Sequence, residues 1–97
     1  MIDITRATPL GNKKLLVKFE EYPDECIVDM SEFLKSWNDF NLVKELNDEL
    51  VFQNFKVDHG AILWANGFDI APEYIFFLAN KLNSEYQALF KEWGYIK

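Results

Sequence analysis

Asp58-His59-Gly60-Ala61-Ile62-Leu63-Trp64-Ala65-Asn66-Gly67-Phe68-Asp69-Ile70-Ala71-Pro72 holds a glycine turn, a short apolar strand, an Asn-Gly turn, a second short strand and a helix start. Gly60 and Gly67 stand where a turn needs positive φ, which a residue without Cβ adopts freely. Asn66-Gly67 between Ile62-Leu63-Trp64 and Phe68-Asp69-Ile70 has the pattern of a two-residue hairpin turn. Pro72 suits a first helical position, because its φ is already near the helical value and its missing N–H would have no partner there. These signals are conformational, and none of them is chemical.

Toward the N-terminus the same strand grammar continues. Ile2 and Ile4 begin a first strand that ends at the turn cluster Pro9-Leu10-Gly11-Asn12. Residues 13–20 alternate, with Leu15, Val17 and Phe19 on one face and Leu16, Lys18 and Glu20 on the other. Glu21-Tyr22-Pro23-Asp24 reads as a turn, and Cys26, Val28 and Met30 then share a strand face. Antiparallel pairing is the default for strands joined so closely. Ser31 is placed to cap a short helix carrying Phe33, Leu34 and Trp37. Residues 42–53 form either two short helices or one bent helix, interrupted at Asn47-Asp48, and Phe55 and Val57 mark a further strand.

On the C-terminal side, residues 72–82 are expected to be helical, with Ile75, Leu78, Ala79 and Leu82 as the apolar stripe and Phe76 and Phe77 widening it. Ser84 is placed as a second N-cap. Tyr86, Leu89, Phe90 and Trp93 repeat the stripe over residues 84–93, with Gly94 at the C-terminal stop. One helix suffices to cover a small sheet, so this second one either completes the core or docks on another chain.

Composition bounds the function classes. Ninety-seven residues, 49% of them hydrophobic and 16% aromatic, make one folded domain. No apolar run approaches the ~20 residues of a membrane helix, and no signal-peptide pattern is present. Cys26 is the only cysteine, which excludes an internal disulfide and points to a cytoplasmic home. The net charge of −6 is uneven: Arg6, Lys13, Lys14 and Lys18 oppose Asp3 at the start, whereas residues 19–50 hold ten acids against Lys35 and Lys44. An acidic chain is repelled by phosphate, so direct nucleic-acid binding is not expected. If those N-terminal cations did bind nucleic acid, the affinity would fall steeply with salt. The acidic middle is either a solvated surface or a face that meets a basic partner.

The residue types that carry chemistry are sparse. His59, the single histidine, falls in a turn, and Cys26 falls on an apolar strand face as a small core residue. A nucleophile–base pair or a metal centre needs several such groups to converge. Asp58 and Asp69 flank the hairpin and could pair for acid–base work. Equally, they could support the turn and the helix start. Trp64 is a core residue by strand parity, or a stacking platform. No catalytic residue, metal ligand or cofactor is therefore expected. The binding candidates are Trp64, Asn66 and Asp69 around the second turn, with Tyr86, Phe90 and Trp93 on the last helix.

Several of these segments together resemble a known family. Ala7-Thr8-Pro9-Leu10, Leu15-Leu16-Val17-Lys18-Phe19 and Val28-Asp29-Met30-Ser31 precede Val57-Asp58-His59-Gly60-Ala61-Ile62-Leu63-Trp64 and Asn66-Gly67-Phe68-Asp69-Ile70-Ala71-Pro72-Glu73. The set is similar to the bacterial family catalogued as domain of unknown function 2442, over roughly residues 4–77. The resemblance implies a small α+β module, found alone or joined to a DNA-binding helix-turn-helix. Single-domain members tend to be encoded beside another small family, in the manner of a toxin–antitoxin pair. It carries over no catalytic residue. Glu21-Tyr22-Pro23-Asp24 replaces a shorter Asp-Gly turn of the family. Residues 84–97 extend past its usual end without a helix-turn-helix.

The sequence thus predicts an α+β domain over residues 1–82, an antiparallel sheet of about five short strands with helices on one face. Residues 83–97 form an added helix packed on it or on a partner. The expected function is a non-enzymatic interaction or regulatory module, of which the antitoxin-like half of a two-protein bacterial system is one form, acting on a protein partner or as a homo-oligomer. The alternative is a small-ligand binder or enzyme with its site around Asp58, His59, Trp64 and Asp69.

Overall fold

The computed structural model describes residues 2–97. Strands β1 (Ile4–Gly11), β2 (Lys14–Phe19) and β3 (Cys26–Asp29) pair in that order as one antiparallel sheet. β4 (Phe55–Asp58), β5 (Ala61–Trp64) and β6 (Asp69–Ile70) pair likewise as a second. Between the sheets in sequence run three short helices, α1 (Ser31–Ser36), α2 (Asn41–Glu45) and α3 (Glu49–Phe52). After them come α4 (Pro72–Asn80), a 3₁₀ turn (Ser84–Tyr86) and α5 (Gln87–Glu92). The α+β class with short antiparallel strands is as expected, but the strands divide between two sheets. Among the described residues one backbone bond joins the start of β1 to the turn between β4 and β5, Ile4 N–H donating to the Gly60 carbonyl at 2.8 Å.

Turn chemistry explains the hairpins. Asn12-Lys13 between β1 and β2, and His59-Gly60 between β4 and β5, are two-residue loops with positive φ at both positions. That mirror-image turn matches the right-handed twist of the flanking strands. β1 continues into the turn cluster as far as Gly11, and Pro9 is tolerated within it because β1 is an edge strand and Pro9 needs no second ladder bond. The Asn66-Gly67 turn is in the expected place with a different form. Trp64 N–H donates to the Phe68 carbonyl at 2.8 Å and Gly67 N–H to the Trp64 carbonyl at 2.9 Å, so the loop is Ala65-Asn66-Gly67 with a bulge at Gly67. Asn66 is held out of the left-handed region by its own side chain. Its Nδ2 donates to the Leu42 carbonyl at 3.1 Å and to Glu45 Oε1 at 2.8 Å, while Oδ1 accepts from Phe68 N–H at 3.0 Å.

Capping differs from expectation by one or two residues. Ser31 and Ser84 do not cap their helices; Asp29 accepts from Ser31 N–H at 2.9 Å and Asn83 from Glu85 N–H at 2.9 Å. The break at Asn47-Asp48 is real, and Asp48 starts α3 by accepting from Leu50 N–H at 2.9 Å.

The core sits between the two sheets and α4. Leu15, Val17 and Phe19 of β2 are fully buried with Val28 and Met30, as their alternation requires. From the other side come Ile62 and Trp64 of β5, and Ile75 and Phe76 of α4. The α4 stripe is rotated from the one expected: Phe76 is a hub, 5.2 Å from Phe19 and 4.8 Å from Tyr22, whereas Leu82 is 92% exposed. α4 ends at Asn80, whose amide bonds back to the Phe76 carbonyl, so Leu82 leaves the helix before it can turn inward. α5 closes this end. Phe90 is fully buried 5.0 Å from Phe77, and Tyr86 and Trp93 pack half-buried on Phe76. Burying such a ring is worth about 1.5–3 kcal/mol, so residues 84–93 are part of the domain's own stability.

Candidate functional site

The fold disperses the residues singled out around the central hairpin. Trp64 is 1% exposed, its ring 5.9, 5.7 and 5.6 Å from Phe52, Phe55 and Phe68, and its indole N–H donates to the Phe52 carbonyl at 2.8 Å. It has no free face for stacking. Asp58 and His59 stand at the opposite end of β5, in the His59-Gly60 turn, with His59 Nδ1 3.1 Å from Asp58 Oδ1. Phe90 is a core ring, and Tyr86 and Trp93 are braces against Phe76. Asn66 organises its turn. Of the binding candidates, Asp69 alone borders an open apolar groove.

Other reactive groups are quiet. Burial pushes the Cys26 thiol above its ordinary pKa, outweighing the hydrogen bond from Asn80 that pulls it down. A thiol so placed is less nucleophilic at neutral pH. Asp3, Glu20 and Glu21 bring three carboxylates within 4.8 Å at the surface, where Asp3 N–H already donates to Glu21 Oε1 at 3.1 Å. Three of the four N-terminal cations are used internally. Arg6 pairs with Glu25 at 2.8 Å and Lys13 with Glu49 at 3.0 Å, while Lys18 donates to the Phe19 and Tyr22 carbonyls.

The groove is built where α1 and α2 meet β6. α1 stops at Ser36 and the chain turns tightly, Phe40 N–H donating to the Trp37 carbonyl at 3.1 Å, which sets the Trp37 and Phe40 rings 5.4 Å apart. Asn47 pins this turn by donating to Asn38 Oδ1 at 3.1 Å. One wall is Phe33, Trp37, Phe40 and Leu42; the other is Phe68, Asp69, Ile70 and Ala71. Tyr74 and Tyr95 close one end, their rings 5.1 Å apart, and the volume of the groove is about 600 Å³. Phe33 bridges the walls, 6.2 Å from Phe68 and 5.7 Å from Tyr74.

Three neighbouring side chains of the first wall are wet. Trp37, Phe40 and Leu42 are 45%, 58% and 41% exposed, an unusual fraction for neighbouring large apolar side chains. The charge on its lining is the exposed Asp69 carboxylate. Burial raises the Tyr95 phenol pKa, and the nearby Glu73 carboxylate raises it further, so Tyr95 stays a neutral hydrogen-bond donor. Trp37, Phe40, Leu42, Tyr74 and Tyr95 were not singled out by sequence. The available signal was Trp37-Asn38-Asp39-Phe40-Asn41-Leu42, apolar and polar residues mixed in a segment with no helical or strand period.

No protein-family model, no curated protein and no solved structure matches this chain. Among the described residues no helix is long and apolar enough to cross a membrane.

Proposed function

We propose that the protein is a non-enzymatic interaction module which holds an apolar segment of a partner protein in the groove between α1, α2 and β6. The observation that carries this reading is the contiguous exposure of Trp37, Phe40 and Leu42 opposite Ile70 and Tyr74. Aromatic anchors beside a partly closed cavity are where binding energy concentrates at interfaces. The groove's acidic side chain and the net charge of −6 favour a basic partner over an acidic one. A regulatory role in a two-protein bacterial system, acting in the cytoplasm, agrees with the resemblance given by the hairpin residues. The alternative site at Asp58, His59, Trp64 and Asp69 has less support, since Trp64 is enclosed and Asp58 and Asp69 stand on opposite sides of β5, against Ala61 and Leu63.

Capture of partners from native lysate should be compared across three forms of the tagged protein. Trp37→Ala combined with Phe40→Ala is expected to lose the captured protein, with binding at least ~10-fold weaker, the loss of one good anchor. Ile27→Ser alters an exposed apolar residue on β3, outside the groove lining, and is expected to retain it. A partner that survives the double substitution binds elsewhere and removes the groove from its function.

A further inference from the structure

Phe68, Asp69, Ile70 and Ala71 are consecutive, and all four border the groove. Successive residues of a strand point to opposite faces, so a cavity touching every one of them meets the strand along its edge. β6 is the edge of its sheet: among the described residues it pairs with β5 alone. The register says which backbone groups are on that edge. Trp64 and Phe68 form a hydrogen-bonded pair, so Leu63 and Asp69 form the next, non-bonded pair, and Ile62 and Ile70 are bonded again. The N–H and C=O of Asp69 therefore point away from β5, on the strand edge that the groove borders.

The geometry points to an extended, basic peptide segment of a partner protein as the occupant, added to β6 as a further strand. The inference rests on the groove being the partner site and names how it is used. Main-chain bonds to a sheet edge supply affinity, and alternating side chains supply specificity. The partner residue that exchanges both backbone bonds with Asp69 has its side chain on Asp69's own face, beside an exposed carboxylate. A lysine or arginine there is complementary. Its two neighbours point to the opposite face, the one carrying Phe68 and Ile70, and meet Phe33 and the Trp37–Phe40 pair. The pattern read by the groove is then apolar, basic, apolar in an extended conformation. A helical segment would satisfy the aromatic wall but leave the Asp69 main chain unmet.

The test uses the full chain, labelled with ¹⁵N, and three short blocked peptides. These are Ser-Val-Lys-Val-Ser, the same peptide with glutamate for lysine, and the same peptide N-methylated on the lysine. The lysine peptide is expected to shift the Phe33, Asp69 and Ile70 resonances and slow exchange of the Asp69 amide several-fold. The glutamate and N-methyl peptides are expected to bind at least tenfold more weakly. Asp69→Asn keeps the backbone donor and removes the charge, so it should erase most of the lysine-over-glutamate preference while the N-methyl penalty persists. Equal binding of the N-methyl peptide, or an unchanged Asp69 amide beside shifts at Phe33 and Trp37, overturns strand addition and leaves the groove as a partner site. Silence from all three peptides, with partner capture still dependent on Trp37 and Phe40, overturns strand addition too. Silence with capture independent of those residues removes the groove reading itself.

Discussion

Gly60→Ala probes the joint between the two sheets. Gly60 has φ +79°, where a Cβ crowds the following carbonyl, and this alone costs roughly 1–2 kcal/mol. A Cβ at this position would also fall 2.4 Å from Asp3 Oδ1 and 3.2 Å from Asp3 Cβ. Asp3 cannot simply withdraw, because its carbonyl accepts from Glu20 N–H at 2.8 Å and the next residue's N–H is bonded to Gly60 itself. Displacing this contact adds on the order of 1 kcal/mol, as overpacking does. The expected loss is about 2–3 kcal/mol, a fall in melting temperature of about 10–20 °C for a chain of this length. Urea unfolding of Gly60→Ala, Asp3→Ala and the double variant separates the two causes. The clash with Oδ1 disappears in the double variant and the φ strain does not, so about 1 kcal/mol should return as coupling. A loss below about 0.5 kcal/mol for Gly60→Ala, or strictly additive variants, would refute the argument that Asp3 and Gly60 lock the sheets together.

The neighbouring turn residue and the Lys13–Glu49 pair give two more tests. His59 has φ 51° with a 93% exposed side chain, so His59→Asn installs the Asn-Gly pair this turn prefers and should stabilise by about 0.5 kcal/mol in urea unfolding; a loss would assign the imidazole a structural role. The Glu49 carboxyl titrates below its ordinary range, chiefly through its hydrogen bond from the Lys13 ammonium, with Gln53 adding to it. A depressed carboxylate contributes stability that is complete above its unfolded pKa and lost as pH falls through the folded one. Glu49→Gln should therefore flatten part of the acid limb of the stability–pH curve below the ordinary glutamate pKa of about 4.3, and an unchanged limb would show the pair to be inert.

What sequence made legible was local. The β2 alternation, the Pro72 helix start and the Asn47-Asp48 break each depend on residues within a few positions, and each appears in the structure. The features it missed are settled by distant partners. Asn66 lies 21 and 24 residues from the groups that hold its side chain, so the Asn-Gly pair alone pointed to the wrong turn type. The two-sheet division hangs on Ile4 meeting Gly60, and the α4 stripe on Phe76 finding Phe19 and Tyr22. Helical periodicity says which residues share a face; it does not say where the helix stops, and Leu82 is exposed because α4 stops first.

The candidate site was hidden for a related reason. Counting apolar residues along the chain cannot tell surplus from core, and here both kinds occur. Leu10, Ile27, Leu50 and Leu82 are exposed too, up to 92% for Leu82, yet single exposed side chains are ordinary on a folded surface. Trp37, Phe40 and Leu42 differ because the turn after α1 gathers them, and because Ile70, Tyr74 and Tyr95, brought from the other end of the chain, complete a cavity with them. An aromatic pair at 5.4 Å could have been satisfied by burying itself under α4, as Tyr22 does against Phe76. Instead it stands open beside a strand edge where the Asp69 N–H and C=O have no hydrogen-bond partner among the described residues. Two unmet demands, one apolar and one for hydrogen bonds, share one groove, and an extended peptide meets both at once.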